Sequence, residues 1–412
     1  MKIALLVTVC LLLFTSCSPA SPYPTDDTYH FETDSQYTFY TQGGFRNFAE
    51  SEDGFYFTLN IHGFNYLFYA DKKTMSPLPL CGKPNCKHYE EKETEKQELC
   101  NAFVPSTDHI GTIFYTNGKL YAIVYQRGVV ATTKQLIEIS LDGSVQKTLC
   151  SLDTIIGEIS SERIAVHRGY LYVANNSYDE NMNAQLNVWR IPLDQPNKEP
   201  ENLCNLKKDK PLTVMDLKIY GMHLYFSTWD GERNYYHLDL RSKKTEQIFK
   251  DIATVTNNVF YDEVYNIAIM GDRLVTELIH MDDTVNTETV DNLKCELYTA
   301  NLDGTDVKEW QDVPNAPYTA DNQYFYKWSM YAGHFLNSPP FFRIYDKDWN
   351  LLVDYDPSEY ISTQWDVYVS PGEFVFLFTD EIIYYFSKSE IPTGNITPKL
   401  FIDVSNVEGF MG

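Results

Sequence analysis

Apolar and polar side chains alternate with a period of two through the stretch from Gly221 to Phe249. Residues 224–228 and 235–240 carry the alternation, a polar loop and a charged turn at 241–244 separate the segments, and Ile248 and Phe249 close the unit. Short alternating runs bounded by turn formers predict half-buried strands rather than helices. The unit returns about every fifty residues, the spacing expected of propeller blades. Its opening turn recurs at Asp53-Gly54, Asn117-Gly118, Arg168-Gly169, Tyr220-Gly221, Met270-Gly271, a degenerate Asp321-Asn322 and Pro371-Gly372. Its second alternating run recurs at 66–71, 136–143, 186–194, 236–240, 297–304, 342–346 and 382–386, which makes seven copies. One four-stranded sheet cannot hide both faces unless it stacks on neighbours, so the expectation is all-β: a single β-propeller of seven four-stranded blades.

Composition agrees. The chain holds 31 Tyr and 24 Phe among 412 residues, and aromatic side chains suit a pleated, half-buried surface. No linker-like run interrupts the repeats between about residues 45 and 405, so one closed domain over 41–412 is expected. The net charge of −24 argues against nucleic acid as a partner, because neutralising phosphates needs clustered Lys and Arg.

The N-terminus predicts the compartment. Lys2 precedes an apolar run over residues 3–14, and Thr15-Ser16-Cys17 follows. That run is too short for a bilayer core of about 30 Å and has the layout of an export signal, so residues 1–16 are expected to be cleaved. Small residues directly before Cys17 resemble the lipobox of bacterial lipoproteins, in which the cysteine is diacylated. The expectation is a protein lipid-anchored on the extracytoplasmic face of the cell membrane, with the membrane as a partner and residues 17–40 as anchor and flexible tether.

Beyond Cys17 stand Cys81, Cys86, Cys100, Cys150, Cys204 and Cys295. Cys81, Cys150 and Cys204 close successive repeats, and later repeats carry Phe249, Trp310, Tyr355 and Phe401 there. Equivalent positions in different blades lie farther apart than the roughly 4.4–6.8 Å between Cα atoms that a disulfide allows. Cys150, Cys204 and Cys295 therefore read as small buried hydrophobes. In the first repeat, Cys81, Cys86, His88 and Cys100 fall in a C-x4-C-x-H-x11-C pattern. Two uses are open beside the reading that the thiols are simply unpaired: a closed tetrahedral zinc site of thiolates and imidazole, or one disulfide with His88 exposed. Either is structural, since a four-ligand site leaves no position for substrate. The charge-dense stretch 90–98 reads as a solvated insertion or short helix.

The phrase Pro79-Leu80-Cys81-Gly82-Lys83-Pro84-Asn85-Cys86-Lys87-His88, followed by Cys100-Asn101-Ala102, resembles a first-blade motif of uncharacterised propeller lipoproteins of Gram-positive gut bacteria. These are grouped with TolB-like or low-density-lipoprotein-receptor-like propellers. Leu141-Asp142-Gly143 and Leu302-Asp303-Gly304 add to the similarity. The resemblance implies a propeller fold and an exported location, and brings no assigned activity.

The compact catalytic phrases G-x-S-x-G, H-E-x-x-H, the Walker loop and G-x-G-x-x-G do not occur. The Leu-Asp-Gly phrases read as turns between third and fourth strands in which Gly takes positive φ. The histidines are scattered, with His167 and His223 beside blade turns and His237 in a strand. In a propeller the loops between second and third strands converge around one mouth of the channel. Candidate ligand-rim residues there are Arg127, Tyr178, Asp179, Trp229, Asp230, Arg233, Asp282, Asp283 and His334. Aromatic and carboxylate groups together suit sugars, cationic peptides or calcium.

The leading expectation is a non-enzymatic, lipid-anchored binding module for a protein, peptide or glycan. An extracytoplasmic lyase or glycoside hydrolase would instead bring two carboxylates within about 5–9.5 Å in the channel. An envelope assembly factor would expose apolar or strand-edge surface at the rim.

Overall fold

The structure is a computed structural model of the 412-residue chain. It describes residues 22–36, 47–61, 64–91, 94–104, 112–127, 132–153, 163–178, 184–208, 212–229, 233–250, 252, 262–280, 294–313, 316–329, 340–361, 365–379 and 382–405.

Blade 1 is built from β1 (Phe48–Glu50), β2 (Gly54–Ile61), β3 (Phe64–Asp71) and β4 (Pro77–Pro79), with β5 (Phe103–Val104) returning to pair with β3. Six further four-stranded sheets follow over residues 113–151, 164–208, 213–248, 262–313, 318–355 and 366–403. All pairings are antiparallel and, apart from β5 on β3, join strands consecutive within the blade, and the seven sheets stand in a ring. The seven-bladed propeller read from the repeats is the fold observed.

Burial explains the layering. First strands are largely buried, completely so in Phe48–Glu50, Ile113–Thr116 and Ile164–His167, whereas the fourth strands Gln146–Ser151 and Lys399–Asp403 are mostly half-buried or exposed. An element hidden on both faces needs apolar residues at every position, and an outer strand needs them only at alternate ones. The first strands therefore line the axis and the fourth strands the circumference.

Blade 7 meets blade 1 without exchanging a strand among the described residues. Phe48 supplies the seam, with ring centroids 4.8 Å from Phe376, 5.0 Å from Tyr368, 6.0 Å from Phe378 and 6.2 Å from Phe401. Such aromatic pairs contribute about 0.5–1.5 kcal/mol each beyond the area they bury. Glu50 adds a polar clasp: Oε2 accepts from the Gly372 amide at 3.0 Å, and Oε1 pairs with Lys72 at 2.7 Å.

Residues 22–36, inside the stretch expected to be a tether, instead lie against the ring, which corrects that expectation over these residues. Asp34, Ser35 and Gln36 are buried. Hydrogen bonds to the blades hold this short Pro- and Thr-rich segment, together with Tyr29, which packs on the core of blades 4 and 5. The stretch 90–98 contains one helical turn, Thr94–Gln97. Cys17 and the export segment lie outside the described residues.

Candidate functional site

Three places on the ring carry groups that chemistry could use. The first is the excursion from β4 to β5. Cys81, Cys86, His88 and Cys100 each present a ligand atom, and all four atoms lie within 4.8 Å of one another. His88 Nδ1 stands 3.5 Å from Cys100 Sγ. Asn85 and His88 adopt left-handed backbone, φ 62° and 52°, which turns the chain sharply enough to bring Cys86 and His88 back toward Cys81. Cys100 is carried in from the far end because β5 pairs with β3, Tyr66 against Phe103 and Asn65 against Val104.

All three sulfurs are free thiols in this geometry. Burial pushes the Cys100 thiol up to about 12, against the Ala102 amide. Burial also acts to raise Cys81, but the amides of Lys83 and Asn101 and the neighbouring thiols outweigh it and leave Cys81 below the ordinary range. Cys150 and Cys204 are buried in the closing strands of blades 2 and 3, as expected of small hydrophobes. The side chain of Cys295 lies outside the described residues.

The second place is the face made by the turns between first and second strands. Residues 22–36 run across it from blade 4 to blade 1. Asp27 Oδ1 accepts from the Met222 amide at 3.3 Å and pairs with Arg241 at 2.6 Å and His223 Nε2 at 3.1 Å. The Thr33 carbonyl accepts from the Arg168 amide and the Glu32 carbonyl from the Asn117 amide. Gln36 closes the run by pairing its side-chain amide with both backbone groups of Glu50, at 2.8 and 2.6 Å. Tyr29 stacks on Tyr220, with centroids 6.4 Å apart, and its hydroxyl is sheltered. Burial pushes that hydroxyl well above its usual range, and Asp34 and Glu50 add to the effect.

The glycines of the repeat's opening turn have a second purpose here. At Gly221, φ is +56° and a Cβ would sit 2.6 Å from the Asp27 backbone; at Gly169, φ is +78° and it would sit 2.3 Å from the Tyr23 ring. Both turns need glycine for conformation and again for the overlying segment. His167 and His223, which the sequence places only beside turns, bind this segment through Ser35 and Asp27. Their position next to the Gly169 and Gly221 turns was the available signal.

The third place is the loop face. Arg127, Tyr178 and Trp229 end the second strands of blades 2, 3 and 4, and Arg233 opens the third strand of blade 4 opposite Trp229. Tyr178 is 58% exposed and Trp229 39%. Asp179, Asp230, Asp282, Asp283 and His334 lie outside the described residues, as does the side chain of Arg127. Deep charges elsewhere are paired within the ring: Lys327 meets Glu277 between blades 5 and 6, and Lys388 meets Asp321 at 2.6 Å. A groove of about 530 Å³ between the outer edges of blades 4 and 5 is lined by Ile248, Phe249 and Val307 together with Glu246 and Asp303.

No protein-family model and no curated protein matches the chain. Similar solved structures include the Pyrococcus horikoshii acylaminoacyl peptidase, 9% identical over 68% of this chain and 44% of that one, TM-score 0.44. TolB from Acinetobacter baumannii is 14% identical over 86% of this chain and 78% of its own, TM-score 0.36. The polysaccharide lyase Uly1 is 9% identical over 93% and 100%, TM-score 0.47. The chain spans less than half of the peptidase. At these identities the likeness concerns the fold alone.

Proposed function

We propose that this propeller is an exported binding module, anchored to the membrane through a lipid on Cys17, that presents its loop face to a protein, peptide or glycan. The observation that carries the reading is the docking of residues 22–36 on the turn face. The chain from Cys17 to Pro22, fully extended, spans at most about 17 Å. A lipid on Cys17 would therefore hold the turn face toward the bilayer and direct the second-to-third-strand loops outward. Tyr178 and Trp229 offer exposed aromatic surface on that side, with Arg233 beside Trp229. Aromatic faces flanked by charge suit sugars and charged peptides.

Two measurements test this. Labelled palmitate should enter the protein and be lost from Cys17→Ala; equal labelling of both removes the anchor. In a thermal-shift screen against glycans, peptides and calcium, a ligand should raise the melting temperature. Trp229→Ala should melt as wild type does and lose that shift. A screen in which nothing stabilises the protein speaks against the binding reading.

A further inference from the structure

We propose that Cys81, Cys86, His88 and Cys100 bind one zinc ion in a closed tetrahedral site that fastens the 80–104 excursion onto blade 1. Distances come first. Ligands of a tetrahedral zinc at about 2.3 Å for sulfur and 2.0–2.1 Å for nitrogen stand about 3.8 Å apart, sulfur to sulfur, and about 3.6 Å, nitrogen to sulfur. His88 Nδ1 and Cys100 Sγ are 3.5 Å apart, and no pair of ligand atoms exceeds 4.8 Å. Four donors from three separate backbone turns have already converged to that spacing.

Backbone amides are aimed at two of the sulfurs. The amides of Lys83 and Asn101 donate to the Cys81 sulfur, and the Ala102 amide donates to Cys100. In two of these bonds the donor is two residues beyond its own cysteine, so the turn that supplies the ligand also supplies its hydrogen bond. Amides aimed at sulfur stabilise a metal thiolate and are of little use to a disulfide, whose sulfurs accept weakly.

A single disulfide accounts for fewer of these features. It would join two of the three sulfurs and give no account of why the third sulfur and the imidazole converge on the same point. Three sulfurs and a nitrogen are soft donors, which select zinc over calcium or magnesium. Four protein ligands leave no open position, so the site is structural. Its effect is to bind the start and end of the excursion together and hold β5 on β3, where Phe103 packs against Tyr66.

Metal analysis of the purified protein tests this. Protein expressed with added zinc should carry about one zinc per chain, released when the thiols are modified. Cobalt exchanged into wild-type protein should give tetrahedral d–d bands and thiolate-to-metal charge transfer. Cys86→Ser and Cys100→Ser should lose the metal, and His88→Asn should weaken its binding tenfold or more. Cys204→Ser, in blade 3, should keep it. Protein without zinc, whether two thiols short or with every thiol free, overturns the proposal. So does zinc retained undiminished by both serine variants. Should those variants fail to fold, a wild-type cobalt spectrum lacking charge transfer is sufficient to overturn it.

Discussion

Arg168 and Asp34 stand 134 residues apart in the chain and form a buried two-pronged ion pair, Nε to Oδ1 at 2.8 Å and Nη2 to Oδ2 at 3.0 Å. The remaining guanidinium hydrogens go to the carbonyls of Pro24, Asp26 and Thr28, each at 2.9 Å. All five donors of one blade-3 side chain are thus spent on the N-terminal segment. The planar fork reads the shape of that segment as well as its charge.

Removing one partner of such a pair strands a buried charge. Arg168→Ala should destabilise the protein by about 3 kcal/mol or more, and Arg168→Lys should not rescue it, because an ammonium cannot reproduce the fork. Urea unfolding measures the loss. Limited proteolysis should cut Arg168→Ala first within residues 22–36 and leave the blades intact. Cutting elsewhere first would show that the arginine serves the blades rather than the segment.

Two glycines of equivalent turns separate conformation from contact. Gly118 has φ +71° and nothing within 4 Å of a built Cβ; Gly221 has φ +56° and the Asp27 backbone at 2.6 Å. Gly118→Ala should cost about 1 kcal/mol, the left-handed penalty alone. Gly221→Ala should cost about 2–3 kcal/mol and loosen the segment as well. Equal losses in thermal or urea unfolding would dismiss the contact.

His167 gives the fold an acid-sensitive point. Its Nδ1 accepts from the Ser35 amide at 3.1 Å, so the ring proton sits on Nε2, which donates to the Gly221 carbonyl at 2.8 Å. Burial lowers its pKa to about 4; Asp34 opposes this, while Arg168 and His30 reinforce it. The unfolded chain, with an ordinary histidine near 6.5, binds more protons between those two values. The contribution is therefore whole above about pH 6.5 and declines as pH falls toward 4, by up to about 3 kcal/mol. Urea unfolding at neutral pH and near pH 4.5 should show a steeper loss for wild type than for His167→Gln.

The seam at Phe48 should be the weakest point of the ring to large-to-small change. Phe48→Ala removes contacts to four aromatic rings of blade 7 and should cost about 3–5 kcal/mol. Adding Phe376→Ala should cost less than the sum of the two single changes, since both empty the same space. Additive losses would mean that the two residues do not share one cavity.

The blades were legible because their signals are local. Asn117-Gly118, Arg168-Gly169 and even the degenerate Asp321-Asn322 fall between first and second strands, where the repeat put them. Gly143 and Gly304 take φ of +70° and +82° in the Leu-Asp-Gly turns. The side of the ring on which Arg127, Tyr178, Trp229 and Arg233 stand followed from strand order. The segment at 22–36 was not legible, because its hydrogen bonds go to groups as far as 216 residues away, as from the Arg241 guanidinium to the Thr25 carbonyl. Nothing in a short polar run announces partners so distant.

By itself the sequence determined the strand period, the turn positions, the number of blades and the identity of four clustered metal-type ligands. These depend on neighbours a few residues apart. Tertiary structure alone decided that Phe48 closes the ring, that residues 22–36 cover its turn face, and that three sulfurs and a nitrogen meet at ligand spacing. Each of those outcomes depends on how successive blade rotations and the return of β5 to β3 bring remote segments together. No local pattern encodes that distance.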